Sequence, residues 1–251
     1  MALRAGVSQP TVTRFCRSVG CDGVRDFKLQ LARSLAVGEA FLDPGPVGTP
    51  AGELPPFWSS VLGEAHVAIR EVERQLVPED LMRAAEALAS SQRIASFGVG
   101  GSSASLAQEA QVRLFRYGLP VEVCREPYMA RMIAATLTPD DAFLVFSATG
   151  GTPEVIEAMG IANRYGARTI AITRPGSMLA KTASVSLTVR IGEYPDALTP
   201  SASRFAFLAI LDLVAAGAGY RLGPRARESL RRIKFNLVRS VPDESLEPLG
   251  D

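Results

Sequence analysis

The sequence of 251 residues predicts an α/β fold in which helices cover both faces of a five-stranded parallel sheet, preceded by a small all-α head. Two observations carry this prediction. Five short apolar stretches alternate with amphipathic stretches after residue 57, which is typical of parallel strands joined by helices. A hydrophobic content of 47% is also enough to build a sizeable core.

A stretch rich in proline and glycine divides the chain into two parts. Residues 38–56 contain five prolines, which block regular structure, so we expect a linker there. The linker separates a basic head, residues 1–37, from the body, residues 57–251. In residues 1–36, six basic residues stand against two acidic ones, whereas the formal net charge of the whole chain is only +1. A nucleic-acid partner is therefore expected to bind through a local patch.

The body is predicted to begin with two helices, over residues 57–76 and 78–90. The second has a proline and two acids in its first turn, where the helix dipole favours them. The predicted strands are residues 93–97, 120–124, 142–146, 168–173 and 184–190. Further helices are predicted at residues 103–117, 127–135, 153–165 and 178–181. Doubly wound sheets of five strands commonly have the order 2-1-3-4-5, which places the first and third strands side by side.

Two helical stretches end the body. Residues 205–220 are apolar almost all round, so they should be buried in the core or against another subunit, and we favour a dimer interface. Residues 221–239 hold seven basic residues and one acid, a pattern typical of a solvated helix face. The longest apolar run is shorter than a bilayer span and no signal peptide is recognisable, so we expect a cytoplasmic protein.

Two loops rich in Gly, Ser and Thr follow the first and third predicted strands directly. Residues 98–103 read GVGGSS, and residues 147–152 read SATGGT. A helix N-terminus offers unpaired backbone N–H groups and a partial positive charge, and glycine lets an anion approach that backbone closely. Because the two strands are neighbours in the expected order, the loops predict one site for a phosphorylated small molecule. The loops alone leave open whether that molecule is transformed or sensed.

The composition excludes several kinds of site. His66 is the only histidine, which leaves almost no material for Ser/His/Asp catalysis or for multi-histidine metal sites. The three cysteines are odd in number and none has CxxC spacing, so they are predicted to be free thiols. We therefore expect no catalytic residue, no metal and no cofactor.

The head is predicted to form a helix-turn-helix, with helical residues 2–5 and 9–19 and a tight turn over residues 6–8. Val12, Phe15, Cys16 and Val19 recur at helical spacing and are expected to face a core. On the outer side, Gln9, Thr11 and Thr13 would lie nearest base edges, and Arg14 and Arg17 nearest phosphates. Ser8, the expected helix cap, completes this candidate DNA-binding set. A small helical cap with a solvated polar face remains the alternative.

Longer strings resemble a known family. AGVSQPTVTRFCRSVGCDGVRDFKLQLA is similar to the DNA-reading head of RpiR-type bacterial transcription regulators, and FGVGGSS, FSATGGT, GARTIAIT and SASRFAFLAILD are similar to their sugar isomerase (SIS) domain. The resemblance covers nearly the whole chain apart from the linker and the C-terminal tail. It implies a three-layer α/β/α sandwich that binds a phosphosugar, in a homodimer or tetramer whose binding to operator DNA the ligand alters.

The same resemblance implies the residues that bind the phosphosugar. The SIS pattern assigns phosphate contacts to hydroxyls of both loops and to two glycine N–H groups: Ser102, with Ser103 beside it, and Ser147, Thr149, Gly150, Gly151 and Thr152. Glu193, Ser203 and Arg204 lie in the segment that usually closes over the sugar. Related domains often have a polar residue and a serine where this chain has Ala148 and Thr149, which puts one side-chain contact in doubt.

The head departs from the family pattern at its start. Relatives carry a first helix and most of a second before the turn, whereas this chain has about five residues there, so we expect a partial helix-turn-helix. Two explanations stay open: a start codon assigned downstream of the true one, or loss of DNA binding.

Two enzyme classes compete with a sensor. A sugar-phosphate isomerase or related lyase of the SIS fold needs a positioned base, for which Glu193 is the candidate. A dinucleotide-binding enzyme would need G-x-G-x-x-G, but Ser103 occupies the position of the third glycine. Because the loops contain no histidine and the chain carries a DNA-reading head, the sequence favours a sensor.

Overall fold

A computed structural model of the chain describes residues 6, 8–19, 21–28, 31, 56–192 and 201–238. The chain divides into two compact units, one of residues 1–61 and 193–201 and the other of residues 62–192 and 202–251. The predicted linker up to residue 55, the first head helix at residues 2–5 and Glu193 lie outside the described residues.

The second unit contains a sheet of five parallel strands in the order β2-β1-β3-β4-β5, as predicted. The strands are β1 (Ile94–Gly98), β2 (Val121–Cys124), β3 (Ala142–Ser147), β4 (Arg168–Thr173) and β5 (Val185–Thr188). Among the described residues, α1 (Gln9–Ser18) belongs to the head. The other helices are α2 (Pro56–Gln75), α3 (Pro78–Ala89), α4 (Gly101–Phe115), α5 (Pro127–Thr136), α6 (Pro153–Arg164), α7 (Met178–Thr182), α8 (Ser203–Leu222) and α9 (Pro224–Val238).

Both faces of the sheet are covered, which confirms the three-layer α/β/α sandwich. Every residue of β3 is buried. Leu144 and Phe146 contribute to a core with α2, α3, α4 and α8, whereas Phe143 and Val145 contribute to a second core with α5, α6 and α7. Because side chains alternate across a strand, continuous apolar strands of this kind supply both cores at once.

Helix α8 lies largely in the core, which corrects the emphasis on a dimer interface. Its buried side packs against α3 and α4, and a Cβ at Gly217 would lie 2.8 Å from that of Ala85. The other side exposes Asp212, Leu213 and Tyr220. Among the described residues, α8 is the one helix long and apolar enough to cross a membrane by length and composition, and its burial against α3 and α4 accounts for much of that apolar character.

The described part of the head forms the expected turn and helix. Gly6 has φ +63°, and the Ser8 hydroxyl caps α1 by accepting a hydrogen bond from the Thr11 N–H at 3.4 Å. The helix stops where the Cys21 N–H bonds to the Cys16 carbonyl at 2.9 Å, and residues 24–28 are helical again. All three cysteines are free and buried, as predicted.

The predicted core face of α1 is wrong in part. Cys16 is fully buried, but Phe15 and Val19 are 53% and 50% exposed. Phe15 meets the ring of Phe27 edge to face at 5.7 Å between centroids. Helical spacing predicts which side chains share a face, but burial also needs a neighbouring element that covers that face.

Candidate functional site

The two loops lie side by side at the carboxyl edge of the sheet. Strands β1 and β3 pair in parallel, with Gly98 opposite Phe146. The first loop (residues 98–103) leads into α4 on one face of the sheet, and the second loop (residues 147–152) leads into α6 on the other. Chains that diverge in this way leave a crevice at the topological switch point, where ligands bind in open α/β sheets.

The first loop is shaped by backbone packing. A Cβ at Gly98 would collide with the backbone carbonyl of Ser103, so only glycine lets the first turn of α4 lie this close to the end of β1. Gly100, with φ +82°, makes no side-chain cap, and the first turn of α4 holds no acidic residue. The N-terminal N–H groups of α4 and the exposed Ser102 hydroxyl therefore form a surface suited to an anion.

The second loop is shaped by its own hydroxyls. The Ser147 side chain, only 5% exposed as a residue, accepts a hydrogen bond from the Gly150 N–H at 3.0 Å. The Thr149 hydroxyl accepts a longer bond from the Gly151 N–H at 3.4 Å. Thr152 begins α6 without a side-chain cap bond. The two glycine N–H groups proposed as phosphate donors are thus engaged within the loop, the Gly151 contact being the longer.

A buried hydroxyl cluster (Ser147, Thr173 and Ser177) supports the second loop from below. The Thr173 hydroxyl donates to the Ser147 carbonyl at 2.6 Å and lies 3.5 Å from the Ser177 hydroxyl. Gly150 has φ +59°, and a Cβ there would collide with the Ser177 side chain. Thr173 and Ser177 were missed in the sequence, although their positions at the end of β4 and at the cap of α7 could have indicated them.

A cavity of about 510 Å³ opens beside the first loop. It is lined by Gly101, Ser102, Ser105, Leu106, Glu109, Arg204, Phe205 and Leu208. The structure therefore brings Ser102 and Arg204 together, and Ser203 is the half-buried residue before Arg204. The Arg204 guanidinium lies 4.6 Å from the centroid of the Phe205 ring, and Glu109 is paired with Arg113 at 2.9 Å. This volume is in the usual range for a small-molecule site.

The predicted site residues do not all meet in that cavity. The second loop contributes none of its lining residues, and Ser103 lies half-buried behind Ser102. Within the described ranges, no group of three or more His, Cys, Asp or Glu side chains could hold a metal ion. His66, the single histidine, is exposed on α2.

The proposed DNA-reading face of α1 has a mixed character. Gln9, Arg14 and Arg17 are exposed, as a reading helix requires. The three hydroxyls make local bonds instead: Ser8 and Thr11 bond each other at 2.9 Å, and Thr13 donates to the Gln9 carbonyl at 3.2 Å. The long polar side chains, rather than the hydroxyls, thus offer the reach that base and phosphate contacts need.

Comparison with known proteins identifies the family. Residues 87–238 match the SIS domain, and residues 1–38 match the helix-turn-helix domain of the rpiR family. The chain is 36% identical over 238 residues to the HTH-type transcriptional regulator HexR of Pseudomonas aeruginosa, covering 95% of this chain and 82% of that protein. It is 34% identical to HexR of Escherichia coli over 251 residues, covering 100% and 86%. The chain belongs to the RpiR-type family of transcriptional regulators.

Other relatives of this RpiR-type chain broaden the comparison. It is 35% identical over 225 residues to the bifunctional protein glk of Paraburkholderia xenovorans, covering 88% of this chain but only 34% of that longer protein. The fold matches that of the Vibrio vulnificus NanR protein complexed with ManNAc-6P at a TM-score of 0.70 and 22% identity, covering 96% and 85% of the two chains. A DNA-binding transcriptional regulator that pairs a helix-turn-helix with an SIS domain, expected from the sequence, is confirmed. The two HexR relatives are named as regulators, which is how this chain is classed.

Proposed function

We propose that this regulator binds a phosphorylated sugar between its two loops and that binding changes the affinity of the head for operator DNA. The observation that carries the proposal is the pairing of two hydroxyl-rich and glycine-rich loops at the carboxyl ends of neighbouring strands. A phosphate needs several N–H and O–H donors in one place, and helix N-termini supply both donors and a favourable dipole.

The first loop is suited to the phosphate and to part of the sugar. The N–H groups that begin α4 and the Ser102 hydroxyl are directed to one region, since Gly101 and Ser102 both line the cavity. Arg204 borders the same cavity and supplies its positive charge. A phosphosugar that spans the cavity would contact Arg204 and Ser203 through its hydroxyls or phosphate.

The second loop contributes mainly through Thr149 and Thr152. Thr152 makes no cap bond to α6, so its hydroxyl can donate to a phosphate oxygen. The 3.4 Å contact between the Gly151 N–H and the Thr149 hydroxyl can be exchanged for bonds to an incoming phosphate. Ser147, by contrast, acts chiefly through the shape of the loop, because it accepts the Gly150 N–H at 3.0 Å.

We infer a sensor rather than an enzyme. The HexR relatives are named as regulators along nearly the whole length of this chain. The alternative, a sugar-phosphate isomerase or lyase of the SIS fold, depends on Glu193 as the base. Assays of isomerase turnover with a panel of sugar phosphates distinguish the two: we expect none, and turnover that Glu193→Gln abolishes would establish the enzyme.

Thermal unfolding with that panel tests the site. At one hundred times its Kd, a ligand stabilises the folded protein by about 2.7 kcal/mol, or a rise in Tm of roughly 5–10 °C for a domain of this size. We expect a rise with one or more sugar phosphates and none with the matching free sugars. The double variant Ser102→Ala and Thr152→Ala should lose it.

The matched control is Ser90→Ala with Thr182→Ala, which removes two hydroxyls that bond helix carbonyls away from the loops. This control should keep the ligand-induced rise. Equal rises in both double variants would contradict the site assignment. Light scattering of the same samples should give two or four chains per particle, and we expect the regulator in the cytoplasm, where its operator lies.

A further inference from the structure

Helix α9 presents a concentrated positive surface that the proposed ligand site does not use. Its exposed cations are Arg225, Arg227, Arg231, Arg232 and Lys234, and Glu228 is the single acid of the helix. The opposite side packs on the body, where Ala226 is 2% exposed and Leu230 and Ile233 are half-buried. The helix is thus anchored by its apolar side and directs its charged side to solvent.

Glu228 neutralises only part of this charge. Its carboxylate accepts two hydrogen bonds from Arg231, at 2.7 and 2.9 Å, and one from Arg232 at 2.8 Å. These bonds hold the pKa of Glu228 at about 2, well below its ordinary value, so the carboxylate stays charged at neutral pH. Five cations against one anion leave an excess of four positive charges on α9.

We propose that α9 binds the phosphate backbone of double-stranded DNA, without reading its sequence. Arg225 and Lys234 are nine residues apart, which corresponds to about 14 Å along the helix. One DNA strand carries about four phosphates over that length. Arginine and lysine on an exposed helix suit such contacts, since they reach phosphate oxygens from a range of positions.

Three other occupants are less compatible with this surface. A membrane-binding helix must insert its apolar side, but that side of α9 packs on the body. A second copy would place like charges together around a two-fold axis. The chain's own C-terminal sequence carries Asp243, Glu244, Glu247 and Asp251, and its binding to α9 would compete with DNA. DNA is favoured because the same chain carries a helix-turn-helix head of the rpiR family.

The salt dependence of binding to a DNA duplex of unrelated sequence tests this proposal. The variant is Arg227→Gln, Arg231→Gln and Lys234→Gln in the full chain, and the matched control is Arg70→Gln, Arg164→Gln and Lys181→Gln, which removes three exposed cations from other helices. Each lost phosphate contact lowers the slope of log K against log salt by about 0.9. We expect a reduction of about 2–3 for the α9 variant and none for the control.

Equal slopes for the two triple variants would overturn the proposal, and this is also the outcome expected if the acidic C-terminal sequence occupies α9. A loss confined to binding of vesicles with anionic phospholipid would overturn it in favour of a membrane. The sugar-phosphate rise in Tm should persist in the α9 variant, so failure of the ligand site and failure of this inference are distinguishable.

Glu228→Gln supplies a test by gain. The substitution frees Arg231 and Arg232 from their shared carboxylate and raises the charge of α9, so DNA binding should become tighter and its salt slope steeper. Unchanged or weaker DNA binding by a variant that still unfolds cooperatively would overturn the proposal.

Discussion

The two loops are similar in sequence but are held in place by different means. Backbone packing shapes the first loop: Gly98 lies directly beneath the Ser103 carbonyl, and α4 begins without a side-chain cap. Side-chain hydroxyls shape the second loop, through the Ser147, Thr173 and Ser177 cluster. Polar residues of the first loop are therefore available for a ligand, whereas several of those in the second maintain the loop itself.

This difference separates effects on stability from effects on affinity. A hydroxyl that bonds its own loop contributes to folding, and its removal leaves a buried group without a partner. An exposed hydroxyl beside a cavity contributes little to folding, and its removal affects mainly the ligand. Substitutions in the two loops should thus give distinct patterns.

The largest effect is expected for Gly150→Ala in the second loop. A side chain at φ +59° is strained, and its Cβ would collide with Ser177. Strain and overpacking together should cost about 2–4 kcal/mol, which lowers Tm by roughly 5–15 °C. Gly151→Ala is the control, because no atom lies within 4 Å of its added Cβ. Equal melting temperatures for the two variants would contradict the support assigned to this loop.

Thr173→Val should have the next largest effect on stability. It removes the donor to the Ser147 carbonyl at 2.6 Å while keeping the shape of the side chain. Leaving a buried polar group with one partner fewer should cost about 1–2 kcal/mol of unfolding free energy. The control is Thr188→Val, since Thr188 pairs with Thr173 on the neighbouring strand but is only half-buried. Denaturant titration should show a loss for Thr173→Val alone.

Ser102→Ala in the first loop should change affinity without changing stability. Ser102 is exposed and lines the cavity, so its loss should leave Tm of the unliganded protein within about 1–2 °C. One hydrogen bond to a charged phosphate corresponds to about tenfold in Kd. Calorimetric titration with the sugar phosphate that stabilises the wild type measures this change. A large drop in Tm would show that Ser102 has a structural role.

The smallest effect concerns a helix outside both loops. Helix α5, unlike α4, has a side-chain cap, because the Glu126 carboxylate accepts the N–H groups of Tyr128 and Met129, both at 2.8 Å. These bonds lower the pKa of Glu126 below its ordinary value of 4.5. The cap therefore stabilises the fold above pH 4.5 and is lost as the pH falls through the lowered pKa. Glu126→Gln should flatten the acid side of the stability profile slightly, and an unchanged profile would contradict the cap.

Much of the fold could be predicted from sequence pattern. The bounds of β4 and the strand order match the prediction, because continuous apolar strands and alternating helices leave few other arrangements. Strand β5 was predicted too long, over residues 184–190, whereas it ends at Thr188. Its neighbour β4 ends at Thr173, opposite Thr188, so the ladder has no partner further along.

The candidate site was harder to predict than the sheet. Glycine and hydroxyl content indicated both loops, but the support from Thr173 and Ser177 depends on three segments that meet only in the folded chain. The cavity of Ser102 and Arg204 likewise depends on the packing of α8 against α4. Phe15 and Val19 were placed in a core by helical spacing alone, and spacing cannot show whether a neighbour covers them.

The central claim is that a sugar phosphate held by the two loops controls DNA binding. The direct measurement is the affinity of the full chain for a DNA fragment selected from random sequences, with and without a stabilising sugar phosphate. We predict a change of about 5–150-fold that disappears in the Ser102→Ala and Thr152→Ala double variant. An unchanged DNA affinity at saturating concentrations of a sugar phosphate that raises Tm would contradict the account.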